Sequence, residues 1–480
     1  MTQEKTLGKK ILLLTVAFAV LAAVFFWVVR ENWEYTSVQT DPLTSSGLIP
    51  LAEDREAVIL QEFPCEADEL EQISLVPGRI RPETAGKIRI TLLKADGTVL
   101  RTVELDAAGL KYDEMNVIPL EPAVDGCRGQ KLILRIDSGD TGVSFQYGKT
   151  ITAGKFEMEA KDTAGLTVQG TPLEGKAVMA TRGQNRLGLS WLAWVLAGVC
   201  YLGCLFVLIR TEQSVKAQKN DIFFMMAEVR KRYSFLLKQL IHRDFKTKYQ
   251  ASVLGVLWSF LNPLLSMTVY LIVFSLIFRS NIEYFPAYLL TGIVLFNYFS
   301  ESTTQGLNSI VVNRALITKV YMPKMIYPLA KVLSSAVNLL ISFIPMFIVM
   351  LVTGVPFHKS LLLLPLVVVF LVCFCLGMTL ILSTLNVFFR DTQFLWGILV
   401  TIWNFLTPIF YPETIIPAAF RTVYHMNPLY QIVYFMRCIT VGGVSPTPLT
   451  YLYCCLAAFI PLALGLYIFR KQQDRFVIYL

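Results

Sequence analysis

Residues 11–29 read ILLLTVAFAVLAAVFFWVV, nineteen residues without a charge, and Lys5, Lys9 and Lys10 precede them. A helix needs roughly 20 mostly apolar residues to cross about 30 Å of hydrocarbon, so this run is long enough to span. It ends in bulky FFWVV with no small-residue cleavage site after it, which makes it a retained anchor and not a signal peptide. Seven further runs follow: 189–209, 253–278, 286–312, 326–352, 361–385, 394–411 and 449–469. The run 286–312 is the weakest, because Glu301 and several polar residues dilute it. The whole chain agrees: 54% of its 480 residues are hydrophobic and 16% charged, where a soluble domain carries about 25% charge.

The charges are unevenly placed. Residues 30–187 hold 18 Lys and Arg against 25 Asp and Glu, a net of −7, and the other 322 residues hold 25 against 10, a net of +15. One stretch therefore has the composition of a water-soluble domain, and the rest that of a membrane protein with basic edges. Lys and Arg in short connecting segments face the cytoplasm. The tail 1–10, the segment 210–250 with ten Lys and Arg, and the C-terminal RKQQDR (470–475) are basic. Eight spans put both termini on that side and leave 30–187 outside. A ninth span in 412–448, which holds Glu413, Arg421, Pro428 and Arg437, would turn the basic C-terminus outward. Helices that dip into the outer leaflet and return are the expectation there.

The expected organisation is a cytoplasmic tail and first span over 1–29, an extracytoplasmic domain over 30–187, a second span at 188–210, a cytoplasmic linker over 211–250 and a six-span core over 251–480. The outer domain reads as β. KIRITLL (87–93), TVLRTVEL (98–105) and KLILRI (131–136) alternate or run apolar between turn signals, which suggests an antiparallel β-sandwich. Its strand rhythm resembles that of jelly-roll carbohydrate-binding modules, and a spacer or docking module fits the same rhythm. In the linker, Ile222, Met226, Val229, Tyr233, Leu236 and Leu240 recur at steps of four and three. That predicts one amphipathic helix over 222–241, with Arg230, Lys231, Arg232 and Lys238 largely off the stripe. A basic amphipathic helix beside a membrane lies in the interface plane.

Directly after this helix comes QLIHRDFKTKYQASVLGVLWSFLNPLL (239–265). An Arg-Asp-x-x-x-x-Tyr segment entering such a run resembles the permease subunits of ABC-2 type exporters, in the branch that exports O-antigen, capsule and teichoic-acid-like polysaccharides. RALITKVYMPK (314–324), NVFFRDTQ (386–393), TPIFYP (407–412) and NPLYQIVYFMR (427–437) extend the likeness over about 220–480. Residues 1–210 depart from the short N-terminus usual in that branch. The resemblance implies a lipid-linked polysaccharide as cargo, a bacterial cytoplasmic membrane and a homodimer of this chain, since six spans are few to enclose a pore. It also implies an ATPase on a separate chain, itself a homodimer carrying ATP and Mg. GTPLEGKA (170–177) nearly fits a phosphate-binding loop but ends in Ala177, without the hydroxyl that ligates magnesium.

Within that reading, Arg243, Lys246 and Lys248 sit where the interface helix meets the first core span and are placed to meet a lipid diphosphate, or to anchor topology. A sliding glycan suits aromatic walls with few charges. Trp258, Phe296, Tyr298, Trp396, Trp403, Tyr411, Tyr430 and Tyr434 are the channel candidates, although aromatics also form interfacial belts. Residues 314–324 are the coupling candidate: Arg314, Lys319 and Lys324 give charge, Leu316, Ile317, Val320 and Tyr321 an apolar anchor. Arg390 and Asp391 form the other short inner loop.

Other chemistries find little support. His242, His358 and His425 lie far apart in no ligand spacing, so no metal site is expected. Neither a dinucleotide fingerprint nor a nucleophile elbow occurs, and no cofactor is expected in this chain. The basic excess belongs with membrane lipids, not nucleic acid. Seven of the nine Cys fall in or beside apolar runs, where they act as small apolar residues. Cys65 and Cys127 alone lie in the outer domain, where a disulfide would suit an oxidising compartment. A polytopic lipid-linked-sugar glycosyltransferase is the rival reading, with Glu31, Glu34 and Asp41 after the first span as its acids. A sugar sensor would leave the polytopic half unexplained.

The charge split makes a direct prediction. A cysteine placed at Thr98 should react with an impermeant thiol reagent in intact cells, and labelling only after the inner membrane is opened would contradict the outward placement.

Overall fold

A computed structural model describes residues 2–39, 47–49, 58–79, 86–138, 141, 143–148, 150–153, 156–159, 166–168, 171–173, 176–186, 188–217, 222–250, 252–278, 284–319, 322–411 and 424–479. The chain divides into two compact units, 34–188 and 1–33 with 189–480.

The first unit is the expected β structure. A six-stranded antiparallel sheet runs in the order Thr171–Leu173, Leu166–Val168, Val58–Pro64, Lys131–Asp137, Lys87–Lys94, Val99–Asp106. A four-stranded sheet orders Tyr35–Gln39, Met179–Arg186, Glu69–Leu75 and Asn116–Asp125. Alternate residues of both sheets meet in one core, with Ile59, Ile90, Leu134 and Ile136 from the first and Leu70, Ile73, Leu75 and Ile118 from the second. That is a sandwich, read correctly from period-two alternation. The 94–98 hairpin shows why the ADG signal works. Gly97 takes φ +85°, and the Asp96 carboxylate accepts from the Thr98 amide. The segment that nearly fits a phosphate-binding loop is strand at Thr171–Leu173 and Lys176–Ala177, with no helix opening from it. Cys65 and Cys127 are buried free thiols whose side chains interact. Burial pushes the Cys127 thiol up to about 11.

The second unit is helical: α1 Thr2–Glu34, α2 Trp191–Lys216, α3 Ile222–Lys231, α4 Ser234–Tyr249, α5 Leu257–Phe278, α6 Phe285–Leu307, α7 Ser309–Val312, α8 Arg314–Ile317, α9 Ile326–Val352, α10 Leu364–Phe388, α11 Thr392–Leu406, α12 Pro428–Thr440, α13 Pro448–Gln472 and α14 Phe476–Tyr479. Each of the eight predicted runs falls on a helix. Among the described residues, five of those helices are long and apolar enough to cross a membrane: α1, α2, α9, α10 with the turn before it, and α13 with α14. Leu257–Val273 and Thr392–Leu406 are shorter apolar stretches. α12 has 13 residues and reaches about 20 Å, too little for a full crossing, which suits the dipping segment expected there. Residues 412–423, with Glu413 and Arg421, lie outside the described residues.

Two expectations change. The helix over 222–241 is two helices, broken at Arg232 and Tyr233. Its apolar stripe is also covered by protein: Val229 and Leu240 are buried against Ile326, Tyr327 and Phe476, with Tyr233 and Leu236 half-buried beside them. The first span packs within the helical unit. Trp33 is fully buried, donates to the Pro446 carbonyl at 2.7 Å and meets Phe25 and Tyr451 edge-to-face. Thr15 hydrogen-bonds Tyr201 and Lys10 pairs with Glu212, which ties α1 to α2.

The closest helix contact joins α10 to α13. A Cβ on Gly377 would run into the backbone of Pro461 and Leu462, and one on Gly465 into the Gly377 carbonyl. Small residues let membrane helices approach where the hydrophobic effect gives no driving force between them. Gly377→Val should therefore cost about 1–3 kcal/mol by overpacking and lower the melting temperature of the detergent-solubilised protein. Gly397, which has open space around it, is the control. Equal melting of G377V and G397V would contradict this packing account.

Candidate functional site

A carboxylate in the middle of an apolar helix has to be answered by protein, and Glu301 on α6 is. It accepts from Lys248 Nζ through both oxygens at 2.8 Å, from Asn338 Nδ2 at 2.9 Å, and from Ser335 Oγ and Gln305 Nε2 at 3.2 Å. Tyr249 donates to Asn338 Oδ1 and also hydrogen-bonds Ser259. One turn earlier, Asp244 pairs with Lys331 at 2.9 Å and with Arg243 at 3.0 Å. Two ion pairs thus clamp α4 onto α6 and α9. The candidates for a lipid diphosphate are therefore not equivalent. All three are exposed, but Arg243 and Lys248 already face acids, while Lys246 has no ion pair among the described residues.

Below this clamp lies a hydrophobic cluster that joins Met225 and Val229 of α3, Leu240 of α4, Ile310 of α7, Ile317 of α8, Ile326 and Tyr327 of α9, Val387 of α10, Phe469 of α13 and Phe476 of α14. Ile317 is the buried root of α8. Arg314, Leu316 and Lys319 are exposed beside it, Leu316 by 37%. Lys324 donates to the Gln473 carbonyl at 2.6 Å, and burial pulls its ammonium below the usual lysine range. Tyr321 and Val320 lie outside the described residues. Arg390 and Asp391 are exposed at the α10–α11 junction, where Asp391 supplies the carbonyl accepting from Phe394 and Leu395.

The channel candidates divide by burial. Tyr298, Trp396 and Tyr430 are packed inside the protomer, at 3%, 4% and 2% exposure. Tyr298 donates to Val332 O and Trp396 to Thr303 Oγ1. Trp403 stands edge-on to Phe299 and Trp396 and donates to Asn427 Oδ1, the cap of α12. Tyr411 donates to Phe405 O and reaches Tyr424. Tyr434 is stacked on Tyr430 and Trp258 is exposed at the start of α5. Phe296 walls an open cleft of about 100 Å³ with Ser266, Tyr270, Asn297, Asn404 and Phe410.

Arg437, which closes the NPLYQIVYFMR segment, organises this end of the unit. Its guanidinium donates to the carbonyls of Pro408, Ile409 and Tyr288 and lies 3.5 Å over the Tyr288 ring. It joins α6, the α11 exit and α12. Of the rival acids, Glu34 pairs with Arg186 at 3.2 Å. Asp41 and the Glu31 side chain lie outside the described residues.

Residues 236–440 match the family described as ABC-2 type transporter. The chain is 32% identical over 260 residues to the O-antigen export system permease protein RfbA of Myxococcus xanthus, a match covering 52% of this chain and 98% of that protein. The chain belongs to the ABC-2 type transporter family. Similar relatives include the same-named permease of Klebsiella pneumoniae, at 33% over 50% of this chain and 93% of that one. The polysialic acid transport protein KpsM of Escherichia coli is 23% identical over the same shares. The ABC-2 match spans the clamp, α8, the cleft and Arg437; the β unit and α1 fall outside it.

The clamp is testable in this ABC-2 protein. Lys248→Ala takes the cation from a partly exposed Glu301 that keeps Asn338, Ser335 and Gln305, a loss of about 1 kcal/mol. Lys248→Ala and Glu301→Lys should each lower thermal stability, and the swap K248E/E301K should recover most of it. A swap no better than the sum of its single variants would show that the two charges do not act as a pair.

Proposed function

We propose that this chain is the membrane-spanning subunit of an ATP-driven exporter that carries a lipid-linked polysaccharide of O-antigen, capsule or teichoic-acid type across the bacterial cytoplasmic membrane. The observation that carries this reading is the near-complete coverage of O-antigen export permeases by half of this chain. Both termini and the basic segment 210–250 face the cytoplasm, and 30–187 faces outward. Two copies of the chain form the pathway, and a separate pair of ATPase subunits drives it. The chain is not itself an enzyme.

The geometry supports a division of labour. Exposed Lys246 and the free half of Arg243 meet the lipid diphosphate at the inner leaflet, where the α4 clamp holds the entry in one position. The exposed edge of α8 seats on the ATPase, and its buried root at Ile317 transmits movement into the cluster shared by α3, α4, α9, α10 and α14. The β unit, additional to the matched relatives, acts as a carbohydrate-binding-like module for the exported glycan.

The coupling step yields a clear test. Replacing Leu316 and Tyr321 with Asp should abolish stimulation of the partner ATPase and reduce export more than tenfold. Protein level should stay normal, since the Leu316 side chain is not part of the buried cluster. Neutralising Arg314 and Lys319 should leave a partial activity. Export at the wild-type rate by L316D/Y321D would remove α8 as the transmission.

A further inference from the structure

Polar side chains on these membrane helices fall into two sets. Glu301, Ser335, Asn338 and Arg437 have protein partners. Asn297, halfway along α6, Asn404 on α11 and Ser266 on α5 have no hydrogen-bond partner among the described residues. Asn297 is exposed and the other two are half-buried. All three converge on the open cleft, whose remaining wall is apolar: Ile293, Ile409 and Phe296, with Tyr270 and Phe410 at a ring separation of 4.3 Å. Amides facing hydrocarbon are costly, so polar groups at this depth face protein or a wet passage.

The chemistry of the lining narrows what passes. Each amide offers an acceptor and two donors, the pairing that a sugar hydroxyl needs, and an aromatic face suits the apolar C–H face of a ring. Among the described residues, no Lys, Arg, His, Asp or Glu lines the cleft. Arg437, which bonds the Ile409 carbonyl beside the cleft, is committed to three backbone carbonyls. A carboxylate or phosphate drawn into this cleft would be a desolvated charge without a partner, which is strongly disfavoured. An acyl chain would leave the amides unmet. The volume of about 100 Å³ is below the roughly 300–1,000 Å³ of sites that enclose a ligand, as suits a surface that touches a moving chain on one side.

We propose that Asn297 and Asn404 form a contact subsite for the hydroxyl groups of an uncharged glycan. The proposal rests on the exporter reading and deepens it, by separating a neutral polysaccharide from a phosphate- or carboxylate-bearing one. The test uses the full chain in its source strain, with the amount and composition of surface glycan as the readout. N297L/N404L should reduce surface glycan at least fivefold at a normal membrane level of the protein, and N297Q/N404Q should restore most of it. If the Leu variant fails to insert, N297A/N404A is read in its place. The wild-type surface glycan should contain neutral sugars and neither phosphodiester nor uronic or sialic acid in its repeat. A charged repeat, or wild-type export by the apolar variants, overturns the subsite. Deletion of the chain distinguishes the two levels: glycan lost on deletion but normal in the apolar variants removes only the subsite, whereas glycan unchanged on deletion removes the exporter reading as well.

Discussion

Hydrocarbon offers no hydrogen bonds, so every polar group that the helical unit carries to membrane depth must be met by protein or by a wet passage. The Glu301 carboxylate on α6 shows how this unit answers a charge on a largely apolar helix. It is met by Lys248, Asn338, Ser335 and Gln305, and meeting it fixes α4 against α6 and α9. Arg437 obeys the same rule with the charge reversed, taking three backbone carbonyls and the Tyr288 ring. Helix α4 and the junction of α6, α11 and α12 are therefore each positioned by a single charge and its partners. Asn297 and Asn404, left unmet by the described residues, are the polar groups for which the proposed subsite supplies a partner.

Packing accounts for the rest of the helical unit. Leu and Phe give helices no preference for one another over lipid, so contact is set by shape. Gly377 and Gly465 bring α10 and α13 together, and Trp33 wedges α1 against Tyr451 and Pro446. In the cluster around α8 the logic changes to that of a soluble core. Ile317, Tyr327 and Phe476 cluster and link the short α8 to helices that run the height of the unit.

The elements with a strong period were legible in the sequence. Eight apolar runs fell on helices, and the strands at 87–94, 99–106 and 131–137 followed from alternation and turn residues. The break at Arg232 and Tyr233 was not legible, because the apolar stripe continues through it and the cover that bends the chain comes from α9 and α14, far away in sequence. The site was read less well. Aromatic type singled out Tyr298, Trp396 and Tyr430, yet the same residues are the ones that fill gaps between helices, and burial is a tertiary property. Glu301 appeared only as a flaw in a hydrophobic run. A lone acid in an apolar segment was the available signal for the clamp, while its partners Lys331 and Asn338 gave none.

The central claim is that this chain passes a polysaccharide through the membrane at the expense of ATP hydrolysed by a partner. The most direct measurement reconstitutes the chain with that ATPase in proteoliposomes loaded on one leaflet with the strain's lipid-linked glycan, and follows the glycan's accessibility to an impermeant glycosidase on the other side. Accessibility should appear only with ATP, Mg and both proteins. Glycan that stays protected with the complete system, or that crosses equally well without ATP, would contradict the account.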